Sequence, residues 1–467
     1  MFWHSCRNIL RPSKLLDHIK MARPIFLDAS PPPYYGAAGT LNKDAFNKSI
    51  EVLAARITPA RTGSVLKAEA LKRSIMDLPK IRSVVVDPSD PDGDRLVLLR
   101  VSKEAELTPE AVGFLRAESK GLVYHTIHLD YDYWTADEIL QVILPEELRE
   151  GSPTGFAATG HIAHINLNDE YLPYKYIIGQ LILDKNKRIK TVVNKLDSID
   201  TQFRFFKMEL IAGEPEYVVE HYESGCRFTF DFTEVYWNSR LHTEHDRLVQ
   251  MFKPQDVVVD VFAGVGPFAV PAAKNGCGVL ANDLNPNSSK YLSINVENNR
   301  VRDLVRVSCE DGRVFIRSAV RRLLDDPFPA YSGPRISRTR EQAGRRNPAN
   351  ILQTKPIINA SRKRISHFVM NLPDSAITFL DTFQGVLSVG DKDLIKEVYD
   401  VMPMVHCHCF TRELEPDRAA ADIKRRVEEK LGSELKEDVS LHLVRSVAPN
   451  KEMYCISFRL PPEVAFA

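Results

Sequence analysis

The sequence predicts an α/β protein: an open, largely parallel sheet with helices on both faces, preceded by two smaller α/β or mixed domains. Three observations carry that prediction. Residues 257–261 form a near-continuous apolar run, the mark of a strand buried on both faces of a parallel sheet. The run ends in a glycine turn, Ala263-Gly264-Val265-Gly266-Pro267, which leads through a small-residue helix at about 268–274 to a second short strand at 279–281, closing on Asn282-Asp283. Downstream, helix (288–298, 313–324, 392–401, 415–431) alternates with strand (305–309, 368–370, 404–410), and the chain finishes on two strands, 439–444 and 454–458. Alternating βα units closed by an antiparallel pair give a doubly wound sheet.

The stretch before this sheet reads as two further domains. Residues 1–42 form a basic and then Pro/Gly/Ala-rich N-terminus. Over 43–150 the periodicity gives helices at 44–54, 109–118 and 134–143, with strands at 83–86 and 95–101. Over 151–239 it gives short strands at 162–167, 176–183, 191–193, 208–212, 217–222 and 228–232. The sheet domain then occupies 240–467, with a helix from 245 to 251 feeding its first strand. It is interrupted at 325–367 by a Pro/Ser/Asn/Arg-rich insertion that carries Arg335, Arg338, Arg340, Arg345, Arg346, Lys355, Arg362, Lys363 and Arg364. A basic loop of that length is either a solvated flexible segment or an arm for nucleic-acid phosphates.

Composition bounds the rest. With 62 basic and 62 acidic side chains the net charge is zero, so a nucleic-acid partner has to be held by local patches. The seven cysteines form no CxxC pair, which points to a reducing compartment without disulfides or a zinc ribbon. His406 and His408 alternate with Cys407 and Cys409 in an expected strand; alternation sends the two residue types to opposite faces, and no metal site is expected. No apolar run approaches the ~20 residues of a membrane span. The first twenty residues carry Arg7, Arg11, Lys14 and Lys20 against Asp17, and Met21 follows. That pattern resembles a mitochondrial presequence ahead of a second start, although a plain basic terminus has the same composition. The expected locations are the mitochondrial matrix and the cytoplasm, with the nucleus as a third.

Ligands of an open α/β sheet lie beyond the carboxyl ends of its strands. Four segments end there: Ala263–Pro267, Asp283-Leu284, Asp311-Gly312 and Asn371-Leu372-Pro373. The turn lacks the third glycine of a dinucleotide fingerprint, and Pro267 removes a donor that a pyrophosphate would need. A cofactor with a ribose and no phosphate fits better, and S-adenosylmethionine is the common one. Gly264 allows close backbone approach, Asp283 suits the ribose hydroxyls, and Asp311 suits the adenine amino group with Gly312 leaving room for the ring. Asn371, both donor and acceptor, can fix the polarity of a bound group. Each acid or amide could equally be a helix N-cap.

Five segments in order carry a family resemblance: FRFFKMELIAGE (203–214), VYWNSRLHTEH (235–245), DVFAGVGPF (260–268), NDLNP (282–286) and FVMNLPDSAITFLD (368–381). Over about residues 35–460 the chain resembles the archaeal and eukaryotic tRNA (guanine-N1)-methyltransferases that modify position 37. The resemblance implies a class I, Rossmann-like methyltransferase domain behind two RNA-binding domains, S-adenosylmethionine as cofactor, tRNA as partner and a monomeric enzyme. It makes Glu244 the general base that deprotonates guanine N1, and a carboxylate near an apolar site is expected to have its pKa raised for that work. It makes Arg204 the cation that stabilises charge on O6. Tyr236 and Asn371 hold the guanine, Pro373 shapes the same wall, and His245 and Leu284 contact the cofactor. The nearest alternative is the aminocarboxypropyl transferase of wybutosine synthesis. The amino-methylating N-P-P-[YF] class is set aside because Leu372 and Asp374 stand at its diagnostic positions.

Overall fold

Burial on both faces of the strands decides most of the architecture. The computed structural model describes residues 27–36, 39–199, 206–331, 333, 361–390 and 392–467 and divides into two units, 1–152 and 153–467.

The first unit is built on a four-stranded antiparallel sheet of order β2-β3-β1-β4. Its strands are β1 (Lys48–Ile57), β2 (Val84–Asp87), β3 (Asp90–Leu98) and β4 (Leu122–Leu129). Helices α1 (Pro59–Leu66), α2 (Pro109–Glu118) and α3 (Ala136–Ile143) complete it. The sequence signals for α2 and α3 are capping signals: Thr108 accepts the Ala111 N–H, and Thr135 with Glu138 forms a capping box. The helix expected at 44–54 is not formed. Ile50, Leu53 and Ala54 have helical spacing, but Ile50, Val52 and Ile57 are β-branched and β1 finds β3 on one side and β4 on the other. Both of its faces are then buried, which alternation alone could not reveal.

In the second unit β5 (Ala157–Thr159), β6 (Ile162–Ile165), β7 (Thr191–Ile199) and β8 (Phe206–Gly213) form a mixed sheet, followed by the hairpin β9 (Val218–Glu223) and β10 (Cys226–Asp231). The strand expected at 176–183 is instead a helix, α4 (Lys175–Lys185), the crossover between parallel β6 and β7. Its isoleucines suggested a strand, yet Ile177, Ile178, Leu181 and Ile182 have the i, i+1, i+4, i+5 spacing of a buried helix face. Gly179 brings that face against β8, where a Cβ would stand 2.9 Å from the Ile211 side chain.

Helix α5 (His242–Met251) leads into a seven-stranded sheet of β11 (Val257–Asp260), β12 (Gly278–Asn282), β13 (Val305–Ser308), β14 (His367–Met370), β15 (Met404–Thr411), β16 (Ser440–Ala448) and β17 (Lys451–Arg459). The order is β13-β12-β11-β14-β15-β17-β16; the first five run parallel, and β17 is antiparallel to both its neighbours. Chain order reverses between β11 and β14, the switch point where a ligand is expected. Helices α6 (Ala269–Lys274), α7 (Pro286–Asn298) and α8 (Gly312–Asp325) are the first crossovers. On β15, Cys407 and Cys409 join one core while His406 and His408 turn to the other face, as the alternation predicts.

No break in packing falls at 239–240, where a domain boundary was expected. Ile162, Val193, Val219, Phe228, Phe230 and Trp237 share one buried core with Val258, Val279 and Ala281 of the large sheet. Asn295 of α7 and Asn299 at its C-cap reinforce it by hydrogen bonding to the backbone of Thr229 and Arg227 in β10. The expected insertion is also anchored at its far end. Arg362, read as part of the basic loop, is buried and donates to the carbonyls of Pro254, Gly276 and Pro329 at 2.7–3.1 Å. Residues 334–360 lie outside the described residues.

Candidate active site

At the switch point the turn after β11 closes by backbone hydrogen bonds, from Ala263 N–H to Asn282 O at 2.7 Å and from Gly266 N–H to Ala263 O at 2.9 Å. Gly264 and Gly266 both have positive φ, and at Gly266 a Cβ would stand 2.6 Å from Leu292 and 2.8 Å from Val270. Only glycine meets both demands. Asn282 cross-links the strand ends: its amide donates to Val261 O and Glu310 O, and its oxygen accepts from Glu310 N–H. Asp283 accepts from Gly264 N–H through Oδ2 and from Asn285 N–H through Oδ1, and the Ser288 side chain bonds to it as well. Burial pushes its pKa up; those backbone donors temper the rise.

A second acid, missed by the sequence reading, stands beside it. Asp260, at the end of β11, is fully buried, and neither carboxylate oxygen finds a hydrogen bond of proper geometry among the described residues. Burial first, then the neighbouring Asp283, pushes its pKa up to about 8, against a smaller pull from His408. The buried Asn371 Oδ1, at the end of β14, is likewise without a partner. Unpaired buried acceptors call for a ligand with donors to spare. An ammonium and a ribose diol on one molecule supply them, so these residues fit S-adenosylmethionine. The signal for Asp260 was present: it opens the DVFAGVGPF segment.

The expected cofactor residues beyond the turn divide. Leu284 is exposed, as a cofactor-facing apolar side chain could be. Asp311 is an N-cap, accepting from Arg313 N–H through Oδ1 at 2.8 Å. At Gly312 a Cβ would stand 2.9 Å from Phe262 and 3.3 Å from Phe379, so the glycine allows close packing of these rings. His245 is buried, with Nδ1 2.5 Å from Glu223 Oε1 and its ring edge-on to Phe268 of the turn. Burial works to raise the Glu223 pKa, but His221 and His245 outweigh it and hold it down at about 2.

The expectation for Glu244 needs correction. It sits in the first turn of α5, 2% exposed, and is gripped rather than poised in an apolar pocket. Arg247, one turn on, donates through Nε to Oε2 at 2.6 Å and through Nη2 to Oε1 at 2.8 Å. His408 of β15 reaches Oε1 through Nε2 at 2.8 Å, and His442 of β16 stands 3.7 Å from Oε2. Burial alone would raise the pKa, but Arg247 and His408 overcome it, and the carboxyl is held down at about 2. The i, i+3 spacing of Glu244 and Arg247 was legible in the sequence; the arrival of His408 from 164 residues away was not. Cys455 Sγ completes a trio with Glu244 and His408 whose ligand atoms lie within 4.8 Å, but the guanidinium fork already supplies the positive charge this carboxylate needs.

Of the substrate residues, Tyr236 is exposed, and its hydroxyl is 3.4 Å from the Asn238 amide. Pro373 lines a cavity of about 300 Å³ with Asp374, Phe410, Arg412, Arg426 and Lys451. Arg204 lies outside the described residues.

The sheet order, the glycine turn with positive φ and buried acids at the switch point together define a class I methyltransferase domain. A family model described as the TRM5/TYW2 methyltransferase domain matches residues 219–324, and one described as the TYW2 N-terminal domain matches 136–216. A Coprinopsis cinerea protein named tRNA (guanine(37)-N(1))-methyltransferase is 63% identical over 452 residues, covering 95% of this chain and 98% of its own. A Schizosaccharomyces pombe protein of the same name is 45% identical over 436 residues, covering 91% and 95%. The chain belongs to the tRNA (guanine(37)-N1)-methyltransferase family. In fold it is similar to Trm5b from Pyrococcus abyssi, with a TM-score of 0.53 at 24% identity over 87% of this chain and 99% of that one. It is similar also to aTrm5 in a complex with tRNALeu, with a TM-score of 0.55 at 20% identity over 88% and 100%.

Proposed function

We propose that this chain methylates N1 of guanosine 37, on the 3′ side of the tRNA anticodon, with S-adenosylmethionine as donor. Membership of the family along nearly its whole length carries this reading. Asp260, Asp283 and Asn371 would hold the cofactor, which when bound supplies an electrophilic methyl group. The chain's own part is to present guanine and move one proton. N1 of guanine is protonated at neutral pH, so its lone pair becomes available only as Glu244 takes that proton. Glu244 is ionised throughout the physiological range, and one of its donors has to give way for N1 to approach. Arg204 is assigned to the charge that develops on O6, and Tyr236, Asn371 and Pro373 to holding a base unstacked from the anticodon loop.

The working form is proposed to be a monomer, as the family resemblance implies; a dimer in sedimentation at working concentration contradicts that. Among the described residues no helix is long and apolar enough to cross a membrane. The proposed locations, mitochondrial matrix and cytoplasm with the nucleus as a third, rest on residues 1–20, and a reporter carrying them that stays wholly cytosolic removes the first.

Aminocarboxypropyl transfer is the alternative to test, because one matching model is described as TRM5/TYW2 and the other as the TYW2 N-terminal domain, although the relatives named above carry the methyltransferase name. Unmodified tRNA is incubated with cofactor labelled on the methyl group, and separately on the carboxypropyl chain. Label entering RNA from the methyl alone is expected; label from the chain alone overturns the assignment.

A further inference from the structure

The base proposed above has more donors than a proton acceptor can keep. Glu244 Oε1 takes two, Arg247 Nη2 and His408 Nε2, both at 2.8 Å, and Oε2 takes Arg247 Nε at 2.6 Å. A carboxylate oxygen has two lone pairs, so Oε1 is full and Oε2 is occupied on the side of the fork. These donors differ in kind. Arg247 lies on the same helix, its side chain 27% exposed, on a long flexible stem. His408 stands on a central strand of the sheet, its side chain 0% exposed, with Phe268 of the glycine turn beside its ring. An arginine partly open to solvent can swing away on its stem, whereas the fully buried histidine is held within the sheet. Withdrawal of Arg247 leaves Oε2 open and Oε1 still held.

We propose that His408 is a positioning residue: it reaches from β15 to hold Glu244 through Oε1, turning Oε2 toward guanine N1 for the proton transfer. This rests on Glu244 being the base. The proton passes from N1 to Oε2, and the N–H···O bond from His408 to Oε1 is kept throughout. His408 also lies near enough to the cofactor-binding Asp260 to act on it, so it ties the base to the cofactor end of the site. Other groups bear on the carboxylate and on the ring: Arg247 of α5, His406 of β15, His442 of β16, Cys455 of β17 and Asp260 of β11.

The test is single-turnover methylation of unmodified tRNA by the full chain across pH, with S-adenosylmethionine affinity measured in parallel. His408→Leu removes the donor; His408→Gln keeps an N–H at similar reach. The leucine variant is expected to lose about tenfold to a hundredfold in rate, a share of what a general base supplies. Its acid limb should move up by about one pH unit, because a donor to the ionised form is gone, while cofactor affinity stays within about twofold. The glutamine variant should recover most of the rate. A leucine variant whose rate and acid limb match the wild type overturns the inference, as does a folded glutamine variant no better than leucine. Should the leucine variant fail to fold, glutamine alone decides: a rate within about threefold of wild type supports the inference, and a loss above about tenfold with normal cofactor affinity overturns it. Glu244→Gln run alongside separates the levels. Full activity there removes the base reading itself, whereas an inactive Glu244→Gln beside an unaffected His408→Leu removes only this inference.

Discussion

Asp283 and Gly264 are joined by a 2.8 Å hydrogen bond from the glycine N–H to the aspartate Oδ2, which locks the tip of β12 to the turn after β11. A second backbone donor, Asn285 N–H at 2.9 Å, fixes Oδ1, so the carboxylate is aimed chiefly by main chain, with the Ser288 side chain as a further donor. Its remaining acceptor capacity is therefore already oriented before a ribose arrives. Asp283→Ala should weaken S-adenosylmethionine binding by about tenfold to a hundredfold, the range for hydrogen bonds to a charged group. Calorimetric titration checks it, and an unaltered dissociation constant refutes the ribose assignment.

Glu244→Gln keeps shape and cofactor contacts but cannot accept the N1 proton. Turnover should fall about 10²–10⁴-fold with cofactor affinity within about twofold, measured in single-turnover assays and by titration. Unchanged turnover takes the role of base away from this residue.

Asp260 gives the protein without cofactor a pH dependence whose sign follows from its raised pKa. Folding favours the protonated acid, so the folded state binds more protons than the unfolded one between the ordinary value of 3.8 and about 8. Its contribution to stability therefore falls as pH rises through that window and levels off above it. Asp260→Asn carries no such charge, and relative to wild type it should gain roughly 4 kcal/mol between pH 4.5 and pH 8. Denaturant unfolding at the two pH values measures the difference; parallel behaviour of the two proteins contradicts the assignment.

Arg362 sits at the edge of a basic stretch that could bind phosphates, but its guanidinium is spent on three backbone carbonyls. Arg362→Ala leaves those acceptors unpaired and should cost about 2–4 kcal/mol of stability while tRNA affinity stays within about twofold. Weakened tRNA binding at unchanged stability would make it a phosphate contact instead.

The glycine turn, the strand pair around it and Asp283 were legible because each is a local pattern: apolar run, obligatory glycine, acid at a strand tip. Residues 44–54 and 176–183 were not. In the first, β1 has a helix-compatible spacing and becomes a strand because β3 and β4 flank it; in the second, isoleucines typical of strands line one face of α4. Both outcomes are set by partners distant in sequence. The same holds in the site. Arg247 could be placed beside Glu244 from helical spacing, but His408 meets that carboxylate only because β15 and α5 are brought together by the sheet. The lowered pKa of Glu244, opposite to what an apolar pocket would give, followed from contacts that no local pattern shows.

The most direct measurement is mass spectrometry of tRNA, unmodified at the start, after incubation with this chain and S-adenosylmethionine, with digestion to locate the product. A single added methyl group at position 37, released as 1-methylguanosine, is the predicted result. A different nucleoside there, a methyl group elsewhere, or an unaltered tRNA in the presence of bound cofactor would contradict it.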